Sequence, residues 1–476
     1  LSDHLIEYRK RVLDAKSPSF CGAKWYNATT WLGSGTTASC HHPTAHKIPL
    51  VELEADHTAI HNTKHKKAVR KMMQEGERPK ECEYCWRIED MGKDSVSDRV
   101  FKSEIYSEED LQKAYEMDWK DSVDLKTFEI AFDRTCNLAC SYCNPSFSST
   151  WARDIKKLGP YQNLLSDGAG AFEQDGSWTE PYGRDEENPY ITAFWKWWDD
   201  GLSDSLEELR ITGGEPLMSG NTWKLFDWFE QQDSDMRFAI NTNFMAKDEI
   251  VDRLIEKSHH IKHFELYTSA ECYGTQQEFL RDGFEWDTWS KNMDRFAEEG
   301  NYHSINIMMT ITALSVFSIT EFLDEVTDMK QRSRAGKHPV ISVNILRFPS
   351  FQSVVTLPEH IRAFCRNELF LWIEENKNLP CWLDFEIASL QRLVDYLYSY
   401  DSPFEKASEL EVRQQDLKSF FDQYCDRRGK DINVFPTIFT EWYNSLESGY
   451  KKAALKSGDN TRFLDDNRLI ELRDIL

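Results

Sequence analysis

The chain of 476 residues contains no run approaching the roughly 20 consecutive apolar residues that a membrane-spanning helix needs, so no membrane partner is expected. Basic residues are in deficit: 57 Lys and Arg stand against 81 Asp and Glu, a formal charge of −24, and no basic run is long enough to override it. Such a surface repels phosphate backbones, which removes nucleic acid from the expected partners and weakly favours a neutral or basic substrate. No secretory signal opens the chain, whose first residues, Leu1-Ser-Asp-His4, are polar and acidic. Eleven cysteines in this length fall well short of disulfide-scaffold density. Metal or redox duty in a reducing cytoplasm is expected instead. Internal repeats and long low-complexity tracts are absent.

Seven of the cysteines cluster in the first third: Cys21, Cys40, Cys82, Cys85, Cys136, Cys140 and Cys143. Cys272, Cys365, Cys381 and Cys425 are scattered and read as small buried hydrophobes. In Cys136-Asn-Leu-Ala-Cys140-Ser-Tyr-Cys143 three thiolates have the spacing to hold three corners of a four-iron cluster, leaving the fourth iron open to a ligand. Zinc is the alternative, although it normally takes four ligands and no histidine lies nearby in sequence.

From about Asp124 strand-like and helix-like segments alternate. Phe128, Ile130 and Phe132 share one face of a strand that ends just before Cys136. Further strands are expected at Leu206–Thr212, Arg237–Ile240, Phe264–Thr268, Ile305–Ile311 and Val340–Leu346. Helices lie between them, one opened by a capping box at Ser318 and Glu321. This pattern predicts an α/β fold of six parallel βα units, an open or partial barrel with its ligand site at the C-terminal strand edge. Gly213-Gly214-Glu215-Pro216 falls at that edge. The 69 residues between Cys143 and Gly213 exceed one crossover. They read as an insertion over about 155–200, with Asn188-Pro189 opening a helix whose stripe is Ile191, Phe194, Trp195 and Trp198. Its expected role is packing on the barrel or, alternatively, a lid. The expected divisions are 1–105, 106–350 and an all-helical 351–476.

The Cys136-x3-Cys140-x2-Cys143 run, with Tyr142 before its last cysteine, resembles the signature of the radical S-adenosylmethionine superfamily, and Gly213-Gly214-Glu215 is similar to its second-strand motif. The resemblance covers about Thr127 to Phe348. It implies a partial (β/α)6 barrel and a [4Fe-4S] cluster whose open iron is chelated by S-adenosyl-L-methionine. One electron then releases a 5′-deoxyadenosyl radical. It further implies that the two glycines leave room for the methionine half and that Glu215 accepts from its ammonium. Tyr142 would lie near adenine, and Asn241 and Thr242 would meet the ribose or adenine edge. Ser269 and Arg281 would hold ribose and carboxylate, and the backbone near Asn344 and Leu346 would touch adenine. Glu271 is a candidate substrate-side base. Cys272 is a candidate hydrogen donor or substrate attachment point, with quiet packing the alternative.

Upstream, Gly33-Ser-Gly35 reads as a hairpin turn between two strands, preceded by Cys21 and followed by Cys40. Cys82-Glu-Tyr-Cys85 comes after 41 intervening residues. Four cysteines can saturate a cluster or a zinc ion, and His41 or His42 could replace one thiolate. The layout, with Glu89, Gly92 and Arg99, resembles the twitch domain, the shortened auxiliary-cluster module of the SPASM group, here placed before the barrel. The resemblance implies an auxiliary [4Fe-4S] cluster that relays electrons, a reducing donor such as flavodoxin or ferredoxin, and hydrogen abstraction from a peptide or protein substrate. A dehydrogenase of a small molecule, such as a sugar or amino-alcohol, is the alternative. A non-catalytic iron–sulfur electron carrier is the alternative of another class.

Overall fold

The computed structural model describes residues 2–450 except 93–94, 183–185, 335 and 399–406. Residues 451–476 of the expected helical C-terminal region lie outside the described residues. The strands are β1 (Asn27–Trp31), β2 (Thr36–Ala38), β3 (His46–Lys47), β4 (Thr127–Ala131), β5 (Ala139–Cys140), β6 (Glu208–Thr212), β7 (Arg237–Thr242), β8 (His263–Ser269), β9 (Arg281–Asp282), β10 (Ser304–Ile311) and β11 (Val340–Ile345). Nine of them form one sheet in the order β11-β10-β8-β7-β6-β4-β1-β2-β3.

The six strands read from the sequence are β4, β6, β7, β8, β10 and β11. They are parallel and adjacent in chain order. Their order never reverses, so there is no switch point within the sheet, and the C-terminal edge is where loops from successive strands converge. Period-two patterning places the core: Phe128, Ile130, Leu209, Ile211, Phe238, Ile240, Phe264 and Leu266 are all buried. Helices Gly220–Gln231, Asp248–Ser258, Trp286–Glu299 and Ile319–Arg332 make the crossovers. The helix Pro189–Trp197 serves the longer β4-to-β6 connection. Asn188 caps it by accepting from the Tyr190 N–H, and Phe194 packs 6.3 Å from Phe128. The stripe therefore packs on the sheet.

The expected capping box at Ser318 is not formed. The Ser318 hydroxyl accepts instead from the Tyr273 N–H at 3.0 Å, because the loop after β8 brings an orphan donor closer than the helix's own first turn does.

The hairpin β1–β2 turns at Gly33–Gly35 as expected. What the sequence did not disclose is that β1 pairs in parallel with β4, Asn27 with Thr127 through Trp31 with Ala131. The N-terminal region thus extends the same sheet. A second apolar cluster, from Leu5 through Trp25, Met73, Cys82, Cys85 and Trp86 to Val123, runs past residue 105. Ala28, Leu32, Ile48 and Ile60 belong to the main core.

After Phe348 the regular elements among the described residues are all helical. Leu390, Leu393, Val394 and Leu397 are buried along Asp384–Tyr398, and Glu386 from that helix accepts from the Ile341 N–H of edge strand β11 at 2.8 Å. Its carboxylate also binds Lys330, both side chains being fully buried. The helix Ala407–Arg428 stops at Gly429, whose φ of +64° is the left-handed cap that glycine adopts without strain.

Candidate functional site

Two cysteine sets lie at opposite edges of the sheet. Cys136, Cys140 and Cys143 follow the C-terminal end of β4. Cys21 precedes β1, and Cys40 follows β2, whose last residue Ala38 pairs with Thr29 near the start of β1. That end is tied to the start of β4: the Lys126 N–H donates to the Tyr26 carbonyl and Tyr106 bonds Thr127 at 2.7 Å. The length of β4, about 13 Å at 3.3 Å per residue, stands between the two edges.

At the C-terminal edge the cysteine run is held by its own loop. The Trp151 indole donates to the Cys140 carbonyl at 2.9 Å. The Ser148 hydroxyl donates to the Leu138 carbonyl at 2.7 Å. The Tyr424 hydroxyl, from the C-terminal helices, donates to the Ala139 carbonyl at 3.1 Å. Burial, with Cys140 nearby, pushes the Cys136 thiol up to about 12. Burial and its two companions push Cys143 up as well. Three crowded, buried thiols become thiolates together when a cation compensates them, so the donor set fits a metal group.

The glycines answer to a different neighbour than expected. A Cβ on Gly214 would lie 2.2 Å from the Thr135 carbonyl oxygen, and Gly213, at φ +126°, would place one 2.8 Å from that of Asp133. Both glycines let the loop entering the cysteine run lie directly on the end of β6. Their absent side chains are required by this chain's own backbone.

Glu215 is buried beside Cys136. It accepts from the Leu217 N–H at 3.0 Å, the Thr242 hydroxyl at 2.7 Å and the Asn243 N–H at 2.7 Å. Burial raises its pKa, against these hydrogen bonds. A carboxylate has about four acceptor sites, so one remains for an incoming donor. Thr242, expected at a ligand, is taken up here: it donates to Glu215 and accepts from the Phe244 N–H at 2.9 Å. Asn241 differs, because its Oδ1 is buried without a hydrogen-bond partner. Such an atom is costly unless a bound group satisfies it.

Asn243 was not singled out as a site residue. Its amide lies 3.9 Å from the Cys136 sulfur and donates to Asn137 at 2.8 Å. The one sequence signal was its place in the polar run Asn241-Thr242-Asn243 at a strand end.

Arg281, expected to clasp a ligand carboxylate, is clasped by Glu271. Arg281 Nη2 reaches Glu271 Oε2 at 2.8 Å with both side chains buried. Tyr142 donates its hydroxyl to the same carboxylate at 2.9 Å, and the guanidinium lies 5.3 Å from the Tyr142 ring centre. Cys272 is buried, and its thiol donates to Gln277 Oε1 at 3.2 Å. Ser269 ends β8, Asn344 is exposed near the end of β11, and Leu346 follows β11, its N–H donating to the Ile311 carbonyl at 2.9 Å. These three share the C-terminal edge with the cysteine run.

A mainly apolar cleft of about 340 Å³ opens on that edge between the hairpin and the parallel strands. Trp31, Phe147, Trp178, Asp133 and the two glycines line it.

At the other edge Cys21, Cys40, Cys82 and Cys85 line one small cavity together with Lys24, His42 and Asp98. Burial pushes Cys82 up to about 12 and Cys85 up to about 11. Glu89, Ser97 and Arg99 form a buried brace beside it: Arg99 bonds Glu89 at 2.9 Å, and Ser97 donates to Glu89 at 2.6 Å. His41 and His42 converge on Asp98, with His42 Nε2 at 2.6 Å. Among the described residues these three are the only trio with ligand atoms within 4.8 Å of one another. Neither cysteine set is therefore drawn to the spacing of about 3.8 Å that a single tetrahedral zinc with 2.3 Å bonds imposes. A four-iron cube, with its own sulfides between the metals, keeps its thiolates further apart.

No protein-family model and no curated protein matches this chain. Among solved structures, Streptococcus suis SuiB bound to S-adenosylmethionine aligns at 16% identity and TM-score 0.32 over 57% of this chain and 51% of its own. SuiB bound to the precursor peptide SuiA aligns at 14% and 0.33, over 75% and 71%. Tagged anSMEcpe with bound AdoMet aligns at 13% and 0.29, over 52% and 62%. At these TM-scores, function has to be argued from this chain's own residues.

Proposed function

We propose that this chain is a radical S-adenosylmethionine enzyme on a partial (β/α)6 barrel, acting on a peptide or protein substrate, with a second iron–sulfur group at the four-cysteine cavity. The observation that carries the reading is the cysteine run placed beyond β4, beside a buried Glu215 with one acceptor site to spare. When bound, the open four-iron cluster supplies the electron that splits the sulfonium into methionine and a carbon radical able to take a substrate hydrogen atom. Cys136, Cys140 and Cys143 hold three irons. Glu215, fixed by Thr242 and Asn243, receives the cofactor's ammonium, and the free Asn241 Oδ1 accepts from its sugar or base. Ser269, Asn344 and Leu346 complete the adenosyl side.

Arg281 and Glu271 act as a pair. Glu271 holds the guanidinium near the cluster and orients Tyr142. In this reading Glu271 is no free base and Cys272 stays in its packing role. The cleft beside the glycines, with Trp31, Phe147 and Trp178 on its walls, suits apolar side chains of an extended peptide. The four-cysteine group, a strand's length away, exchanges electrons and does not touch substrate.

The test is anaerobic. Reconstituted, reduced protein with S-adenosylmethionine is assayed for 5′-deoxyadenosine, with Cys140→Ala as control. Nucleoside from the native chain and none from the variant is expected. No nucleoside from a fully reconstituted native sample would leave the chain an electron carrier.

A further inference from the structure

Lys24 sits on a four-residue helix, Ala23–Tyr26, that begins directly after Cys21-Gly22. Its side chain is 3% exposed, and its ammonium binds Glu81. It also lines the cavity formed by Cys21, Cys40, Cys82 and Cys85, where its charge favours the Cys82 and Cys40 thiolates. An ammonium this buried is expensive to desolvate, and a buried ion pair alone is often no better than packed hydrocarbon. Glu81 is moreover shared with His65, at 2.6 Å.

Arg70 adds positive charge behind Lys24, while burial and the neighbouring Arg70 pull the Lys66 pKa well down. Arg70 donates to the Lys24 carbonyl at 3.0 Å, and Lys66 lies in the same buried layer, donating to Thr37 at 2.8 Å. Of the acids near the cavity, Asp98 is engaged by His41 and His42. Glu89 and Asp14 are engaged by Arg99. Two lysines, Lys24 and Lys102, line the cavity, and of the two Lys24 is the buried one. Four thiolates around a four-iron core carry net negative charge that grows by one on reduction. A buried ammonium against one of those sulfurs stabilises the reduced state more than the oxidised one.

We propose that Lys24, with Glu81 as its counterweight, raises the reduction potential of the group held by Cys21, Cys40, Cys82 and Cys85, so that this group accepts electrons. The inference rests on the reading of that cavity as an iron–sulfur site.

The test is a redox titration of the anaerobically reconstituted whole chain, following by EPR the signal that survives in Cys140→Ala. Lys24→Met is expected to lower the reduced-to-oxidised ratio at fixed potential at least tenfold, about 59 mV for a one-electron couple. Glu81→Gln, which frees the ammonium from its counter-charge, is expected to move the midpoint the opposite way. Should Lys24→Met fail to take up iron, Lys24→Gln, which also removes the charge, is titrated in its place, and the sign of its shift decides. Unchanged midpoints, or shifts of the same sign in both variants, would overturn the assignment to Lys24. Zinc in place of iron at the four-cysteine cavity would instead refute the reading on which it rests.

Discussion

The guanidinium of Arg281 lies 3.7 Å from the sulfur of Cys140, and the two residues are also backbone partners in the short β5–β9 ladder. One residue's main chain therefore positions the cysteine while its side chain, clasped by Glu271, sets the charge beside it. Arg281→Met should leave a fully buried carboxylate without its partner. A loss of about 3–5 kcal/mol is expected, read as a shift in the urea midpoint of the chain before cluster loading. Arg281→Lys should recover little of it, because Lys cannot reproduce the forked contact.

Gly214→Ala places a methyl group where the Thr135 carbonyl stands, and backbone cannot step aside as a side chain end would. The expected cost is about 1–3 kcal/mol or more from overpacking. Because the displaced loop leads straight into Cys136, the variant should also retain less iron at the three-cysteine site. Iron analysis together with a melting curve checks both.

Native protein should bind about eight irons per chain after reconstitution, falling to about four when Cys82 and Cys85 are both replaced by Ala. With the two sites at opposite sheet edges, the Cys82/Cys85 variant should keep the cluster spectrum that responds to S-adenosylmethionine. Loss of that response along with the irons would contradict two independent sites.

His46 on β3 is held neutral. Burial, followed by the nearby Lys66 and His65, pulls its pKa down to about 3, against an unfolded value of about 6.5. The unfolded chain therefore binds the proton first on acidification. Stability is full above pH 6.5 and is lost as pH falls toward 3, by an amount of order 1–3 kcal/mol at pH 4. His46→Gln, which can still bond Thr63, should flatten the stability profile in that window. Denaturation midpoints at pH 7 and pH 4 in both proteins test the sign.

Much of the fold was legible. The alternation in Phe128-Glu-Ile130-Ala-Phe132 and in Ile305–Ile311 marked strands because a half-buried sheet writes a period of two into sequence. Gly429 and Asn188-Pro189 marked helix ends because caps need those residue types locally. The capping box at Ser318 misled for the complementary reason: its hydroxyl was claimed by Tyr273, 45 residues away in the chain. The partners of Thr242 and Arg281, which are Glu215 and Glu271, likewise become neighbours only through folding.

By itself the sequence determined the thiol chemistry, the alternation of strands and helices, and the clustering of polar motifs at strand ends. All three are set by neighbours a few residues apart. Tertiary structure alone decided that β1 joins β4, that the two cysteine sets occupy opposite edges, and that Lys24 and Cys82 line one cavity. Those relations depend on register and burial between segments 50 to 140 residues apart, where pairing of the whole sheet, and no local propensity, chooses which side chains meet.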